Sequence, residues 1–232
     1  MPREAAQSTQ GVRNAAQPTV TQALLARRSV RAFLRDKAVP LPELVEVIKT
    51  AHRGAPSGGN LQPWKVHLVS GAVRDAIVAE VADSMKQGVL SQGTEYDVYP
   101  PELTDPYRAR RTKNGNDLYS LIGVPKSDRK GKLAHVAKNW DLFGAPVGLF
   151  FTVDRQHGSP QWADIGMFMQ SIMLLCAERG WATCAQGEFT HCTPKNGLFP
   201  NVGSTKALTP HPVSPAARRG CVRGARRGRG LG

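Results

Sequence analysis

The chain has 232 residues, of which 41% are hydrophobic and 21% charged, with a formal net charge of +13. A globular chain of this length buries about 70–75% of its unfolded surface, so its core needs no disulfide framework. No apolar run reaches the ~18 residues of a membrane span, the N-terminal stretch lacks the apolar core of a secretory signal, and Cys176, Cys184 and Cys192 show no CxxC metal spacing.

The cysteines therefore read as reduced, mostly buried thiols of a cytoplasmic protein. The charge by itself suggests a polyanion partner, but its distribution weakens that idea. Residues 193–232 hold eight Lys or Arg and no acid, which leaves only +5 on residues 1–192. The pattern is an ordinary domain followed by a basic end.

Residues 1–18 are Ala/Gln-rich and read as a loose arm. A short helix is expected over Thr21–Arg28, capped by Thr19 or Thr21, with Val20, Leu24 and Leu25 inward. The next helix has Pro42 in its first turn and an apolar stripe of Leu44, Val45, Ile48 and Ala51, and stops at Gly54. Ala55–Trp64 is a loop by composition. Lys65–Val69 alternates like a strand, Ser70-Gly71 turns, and Val73, Ile77 and Val81 space a helix.

Residues 88–130 are polar and rich in Tyr, Pro and Arg, with a helix near Tyr107–Ile122. So long a polar stretch is too much for bare loop in a compact domain and reads as an excursion over the surface, of the kind that makes a lid. Val147–Val153 is apolar enough for a strand buried on both faces. Gln161–Glu178 is the strongest helix, apolar nearly all round, as a central or interface helix is. Gly180 ends it, and Trp181–Gln186 reads as a strand. From Thr193 onward there is no acid and no periodicity, and no packed core is expected. The domain organisation is thus an arm (1–18), an α+β domain (19–192) and a basic Arg/Gly/Pro tail (193–232).

Two segments can carry chemistry. Arg27, Arg28, Ser29 and Arg31 crowd three bases and a hydroxyl at a helix end. That set suits a phosphate, and equally a solvated basic end complementing the helix dipole. The Ala55–Trp64 loop is either a plain turn or a place where backbone comes close to a planar ligand, with Asn60 and Gln62 offering donors and acceptors.

In order along the chain, Arg-Arg-Ser-x-Arg-x-Phe, about 20 residues of helix and Ala-Pro-Ser-Gly-Gly-Asn-x-Gln-Pro-Trp resemble the opening of the FMN-dependent nitroreductase family. Phe143-Gly-Ala-Pro146, Gln161-Trp-Ala-Asp-Ile-Gly166 and Gln186-Gly187-Glu188 continue the likeness over residues 20–192. Tyr99-Pro-Pro-Glu-Leu and Pro106-Tyr-Arg-Ala-Arg-Arg resemble the nitrobenzoate-reductase branch.

The resemblance implies an α+β fold, a mixed sheet flanked by helices, in a homodimer that builds two sites at its interface. It implies that Arg27, Arg28, Ser29 and Arg31 clamp the FMN phosphate and ribityl chain. Pro56, Ser57, Gly58 and Asn60 of the partner line the ring, and Gln186, Gly187 and Glu188 lie by flavin N5. Hydride passes from NAD(P)H through the flavin to nitroaromatic, quinone or similar acceptors in ping-pong order. No side chain is needed as catalyst, so His52, His67 and His135 read as surface or core residues.

The family continues with a helix, a last strand, basic residues that complete the phosphate clamp and a partner-embracing arm, and Thr193–Gly232 resembles none of these. The shift in composition after Cys192 looks like a reading-frame change in a GC-rich coding sequence, with a genuine basic tail as the competing reading. On the first reading the chain is an inactive or weakly flavin-binding homologue. On the second, the Arg/Gly tail makes it a nucleic-acid binder, against which stands the lack of aromatics after Phe199.

Overall fold

The computed structural model describes residues 17–86 and 99–187, together with the backbone of 206–208 and 211–212. Helix α1 spans Val20–Ala26, and Thr19 and Gln22 close a capping box at its start. Of α1 only Ala23 is buried. Val20, Leu24 and Leu25 were expected to face inward, but they stand 76%, 51% and 67% exposed. The helix rests on its neighbour through its small residue and turns its large apolar face outward from this chain.

Helix α2, Leu41–Gly54, buries Leu44, Val47 and Ala51. Val47 replaces the expected Val45, because the i, i+3, i+7 positions lie over one another on the inner face. Strand β1, Trp64–Ser70, leads directly into α3, Gly71–Lys86. In α3, Ile77 and Val81 are buried as expected. Val73 is exposed, and Arg74 takes its place inside.

The surface excursion contains α4, Tyr107–Leu121, and α5, Arg129–Ala137, capped by Asp128. Neither buries a residue fully. Strand β2, Val147–Val153, is buried at every position, and Phe150, Phe151 and Leu149 are its largest buried side chains. Helix α6, Ser159–Glu178, buries Ile165, Phe168, Met169, Ile172 and Cys176 against α2 and the sheet. Trp64 stacks on Phe168 with ring centres 4.5 Å apart, which ties the start of β1 to the middle of α6.

The stretch Trp181–Gln186 is two short pieces instead of one strand. Strand β3 is Trp181–Ala182 and β4 is Ala185–Gln186. They separate because Thr183 turns aside to form an isolated parallel bridge with Ser29. The main sheet runs β1-β2-β5-β4, where β5 is Lys206–Leu208, and β3 pairs with β6, His211–Pro212. Each of these pairings is antiparallel.

The two strands from residues beyond 193 were not expected. Ladder hydrogen bonds come from backbone, and Lys-Ala-Leu carries neither Pro nor Gly to prevent them. Strand β5 sits between β2 and β4, so it is what joins Gln186 to the sheet.

Candidate functional site

Arg27 caps the C-terminus of α1, its backbone N–H donating to Ala23 O at 2.9 Å. Beyond it the chain runs extended beside the β3–β4 connection, with Val30 N–H donating to Thr183 O at 3.1 Å. Three residues further on, Phe33 N–H donates to Phe143 O at 3.0 Å. Segment 29–33 is thereby sewn at one end to Thr183 and at the other to the Leu142–Gly144 turn.

Its arginines differ in direction. Arg28 folds back, its guanidinium donating to Leu25 O and to Arg27 O, so it satisfies the open carbonyls of the α1 C-terminus. Arg31 and Arg27 instead both bear on Cys184. Burial pushes the Cys184 thiol up, and the guanidinium charges of Arg31 and then Arg27 pull against that rise. Arg31 also acts on His135, whose imidazole is held below its ordinary range by burial first, then by Lys138 and Arg31. The two arginines thus raise the positive potential around the β3–β4 turn, where Ser29 is bridged.

The Pro56–Asn60 loop is built differently. Ser57 Oγ donates to Asp164 Oδ2 at 3.3 Å, and Gly58 N–H donates to the same oxygen at 3.3 Å. Ser57 Oγ in turn accepts from Gln62 N–H at 2.9 Å. Gly59, Asn60 and Gln62 all have positive φ. That is a cluster of left-handed backbone which glycine permits and asparagine tolerates. Strain of this kind collects where a loop must present its backbone to a ligand. Asp164, only 6% exposed in an otherwise apolar helix, is the anchor. Its place in Gln161-Trp-Ala-Asp-Ile-Gly166 assigns it no task, and the signal for one is a lone acid among Trp162, Ile165 and Phe168.

Gln186 is buried, and its amide Nε2 donates to Asn139 O at 2.9 Å and to Asn139 Oδ1 at 3.2 Å. Among the described residues its Oε1 has no partner, and neither does the indole Nε1 of Trp140. Buried polar atoms are nearly always satisfied, so these two atoms leave hydrogen-bonding capacity unused on either side of Asn139. Gly187 lies partly buried just beyond, while Glu188 lies outside the described residues.

A buried cation supports this corner. Arg74 donates from Nε to Ala145 O at 3.1 Å and from an η-nitrogen to both Asp141 O and Asp141 Oδ1, at 2.8 and 2.9 Å. Arg35 pairs with the other oxygen of Asp141. The cluster fixes the 139–145 turn, which carries Asn139 and Trp140.

The histidines have other partners. His52 Nδ1 accepts from Trp64 Nε1 at 2.9 Å, and His67 Nε2 lies 3.2 Å from Thr152 Oγ1.

Segment 27–31 therefore runs along the β3–β4 connection at Thr183 and Cys184, two residues before Gln186. Among the described residues no hydrogen bond or ion pair joins them to Pro56–Asn60.

The family model described as "Nitroreductase family" matches residues 24–196. The 4-nitrobenzoate reductase of Pseudomonas putida is 37% identical over 169 residues, covering 70% of this chain and 70% of the relative. The nitrobenzene nitroreductase of Ectopseudomonas oleovorans is 33% identical, covering 73% and 74%. Among solved structures, the FMN and NADPH-dependent nitroreductase NfnB from sphigopyxis sp. strain HMH superposes with a TM-score of 0.80 at 38% identity. It covers 86% of this chain and 91% of its own.

Proposed function

This chain belongs to the nitroreductase family, and from that premise we propose that it is an FMN- and NADPH-dependent oxidoreductase that reduces nitroaromatic compounds. The observation that carries the reading is the pinning of the Arg27–Arg31 segment to Thr183, with Arg27 and Arg31 acting on Cys184 two residues from the buried Gln186, a cationic and polar corner suited to one end of a flavin.

In this reading Arg27, Arg31 and Ser29 hold the phosphate, Arg28 supports them from the helix end, and Gln186, Gly187 and Glu188 lie at the ring edge. Pro56, Ser57, Gly58 and Asn60 line the ring from the partner subunit. When bound, FMN would supply two-electron redox chemistry between NAD(P)H and a nitroaromatic, quinone or similar acceptor, in ping-pong order.

The chain's own groups do the rest. Positive charge from Arg27 and Arg31 offsets the phosphate's charge. Asp164 holds the Gly58 amide and the Ser57 hydroxyl in place, and Asn139 fixes which way Gln186 points. No side chain here is required to exchange a proton with the acceptor.

The homodimer belongs to the same proposal. It is supported by the outward apolar face of Val20, Leu24 and Leu25 on α1, and by the exposure of Trp162 and Met167 on α6. A cytoplasmic location is proposed from Cys176 and Cys184, which are both free and buried.

The test is NADPH oxidation by the full chain loaded with FMN, with 4-nitrobenzoate and nitrobenzene offered as acceptors. Formation of a reduced nitrogen product from either supports the reading. NADPH oxidation that yields only reduced oxygen and no such product contradicts it.

A further inference from the structure

The surface excursion encloses an open groove of about 750 Å³ that the flavin reading does not use. One face of α4 forms its floor, and residues 101–104 and Lys132 of α5 form its walls. Thr112, Gly115, Asn116 and Tyr119 repeat along the floor at helical spacing, so their side chains stack on one side. At Gly115 an added Cβ would meet nothing within 4 Å, which keeps the middle of the floor open.

Two cations frame this space, each set against an aromatic ring. The guanidinium carbon of Arg111 lies 4.0 Å from the Tyr99 ring centre, and Lys132 Nζ lies 5.5 Å from that of Tyr119. Lys132 also donates to Lys126 O at 2.5 Å. Neither cation has a carboxylate partner among the described residues. Arg108, by contrast, is taken by Asp105 at 3.0 Å. Among the described residues Glu102 is the only acid lining the groove, so this lining carries excess positive charge.

We infer that this groove between Arg111 and Lys132 binds an organic oxyanion attached to a planar ring. The arginine fork and the ammonium match carboxylate or phosphate oxygens, Thr112 and Asn116 add neutral donors, and the Tyr119 ring gives a flat apolar wall. The groove adjoins the proposed flavin corner. The Tyr119 ring lies 6.0 Å from the His135 ring, and the His135 ring 6.0 Å from that of Phe143, whose carbonyl accepts from Phe33 N–H.

Two ligands share the required chemistry, an aromatic carboxylate acceptor and the phosphate ester of a nicotinamide nucleotide. Naming them rests on the oxidoreductase reading, whereas the groove itself does not.

The full chain is titrated with benzoate and with adenosine 2′-phosphate, and binding is followed by calorimetry. At least one probe is expected to bind saturably and more weakly as salt is raised. Arg111→Gln and Lys132→Gln should each weaken that probe by about tenfold or more, Arg111→Lys should restore part of the loss, and Lys49→Gln on α2 should change nothing. Circular dichroism checks that the variants fold. Benzoate alone identifies the carboxylate source, and adenosine 2′-phosphate alone the nucleotide; either supports the inference.

If neither probe binds, or if the double variant binds as the parent does, the inference is overturned. FMN titration of the same proteins separates the two claims. A chain that takes up FMN but neither probe has lost only the groove, and one that binds a probe but no FMN has lost only the flavin reading.

Discussion

Asp164 Oδ2 lies 3.3 Å from the backbone nitrogen of Gly58, so a single buried carboxylate on α6 fixes the loop that the flavin reading sets against the ring. The same oxygen accepts from Ser57 Oγ. Removing it takes a charged acceptor from a part-buried N–H and hydroxyl. Asp164→Ala should therefore cost about 1–3 kcal/mol of stability and loosen the loop. Urea unfolding measures the first effect, and proteolytic cleavage near Gly59 the second. A variant as stable and as resistant as the parent would show that the anchor is not needed.

The arginines of the first motif should not behave alike. Arg31 bears on Cys184 and His135, whereas Arg28 is spent on the carbonyls of Leu25 and Arg27. At ~1.5–3 kcal/mol for a charge-assisted contact, Arg31→Ala should weaken FMN binding by about 10- to 100-fold. Arg28→Ala should weaken it much less and instead lower the stability of α1. Fluorescence titration with FMN gives both numbers, and equal losses would refute the distinction.

Much of this was legible in the residues and some was not. Strand β2 and helix α6 were clear because a continuous apolar run and a long apolar helix have few other places to go. The loop at Ala55–Trp64 announced itself through Pro and Gly. The orientation of α1 was misread, because hydrophobic periodicity reports that a face wants cover and cannot say whether the cover is this chain or another. Arg74 was missed for a related reason. Its burial depends on Asp141 and the Ala145 carbonyl, far away in sequence. Strand β5 was missed because a backbone ladder needs no side-chain pattern. Gln186 was found through a motif, but the Asn139 contact that aims it has no signature in sequence.

Arg74 should prove costly to replace. It is 6% exposed and holds the 139–145 turn through Ala145 and Asp141. Breaking a buried ion pair by removing one partner costs about 3–5 kcal/mol. The lower end is expected here, because Asp141 keeps Arg35 and some water. Arg74→Met measured by thermal and chemical unfolding tests this, and a loss below about 1 kcal/mol would contradict it.

The His135 ring supplies a pH dependence. Its folded value lies below the ordinary 6.5, so the unfolded chain takes up this proton at a higher pH than the folded one does. The stability this neutral ring contributes is complete above 6.5 and is lost as pH falls from there through the lower folded value. NMR titration of the imidazole should give a midpoint below 6.5, and His135→Gln should flatten that part of the stability profile. A midpoint above 6.5 would reverse the sign and contradict the account.

Strand β5 gives residues 206–208 a task. Ending the chain at Thr205 removes the strand between β2 and β4 and leaves Gln186 unpaired, so stability should fall. Ending it at Val213 keeps that strand. Equal unfolding midpoints for the two truncations would show that the pairing contributes nothing.

The central claim is that this chain holds FMN at the corner made by Arg27, Arg31 and Gln186. The direct measurement is the visible spectrum of the full chain after incubation with FMN and removal of free flavin by gel filtration. The account predicts an absorption band near ~450 nm that stays with the protein peak, bleaches on adding NADPH without oxygen and returns when a nitroaromatic is added. It predicts that Arg31→Ala loses most of that band. A correctly folded chain that emerges colourless, or an Arg31→Ala variant as yellow as the parent, would contradict it.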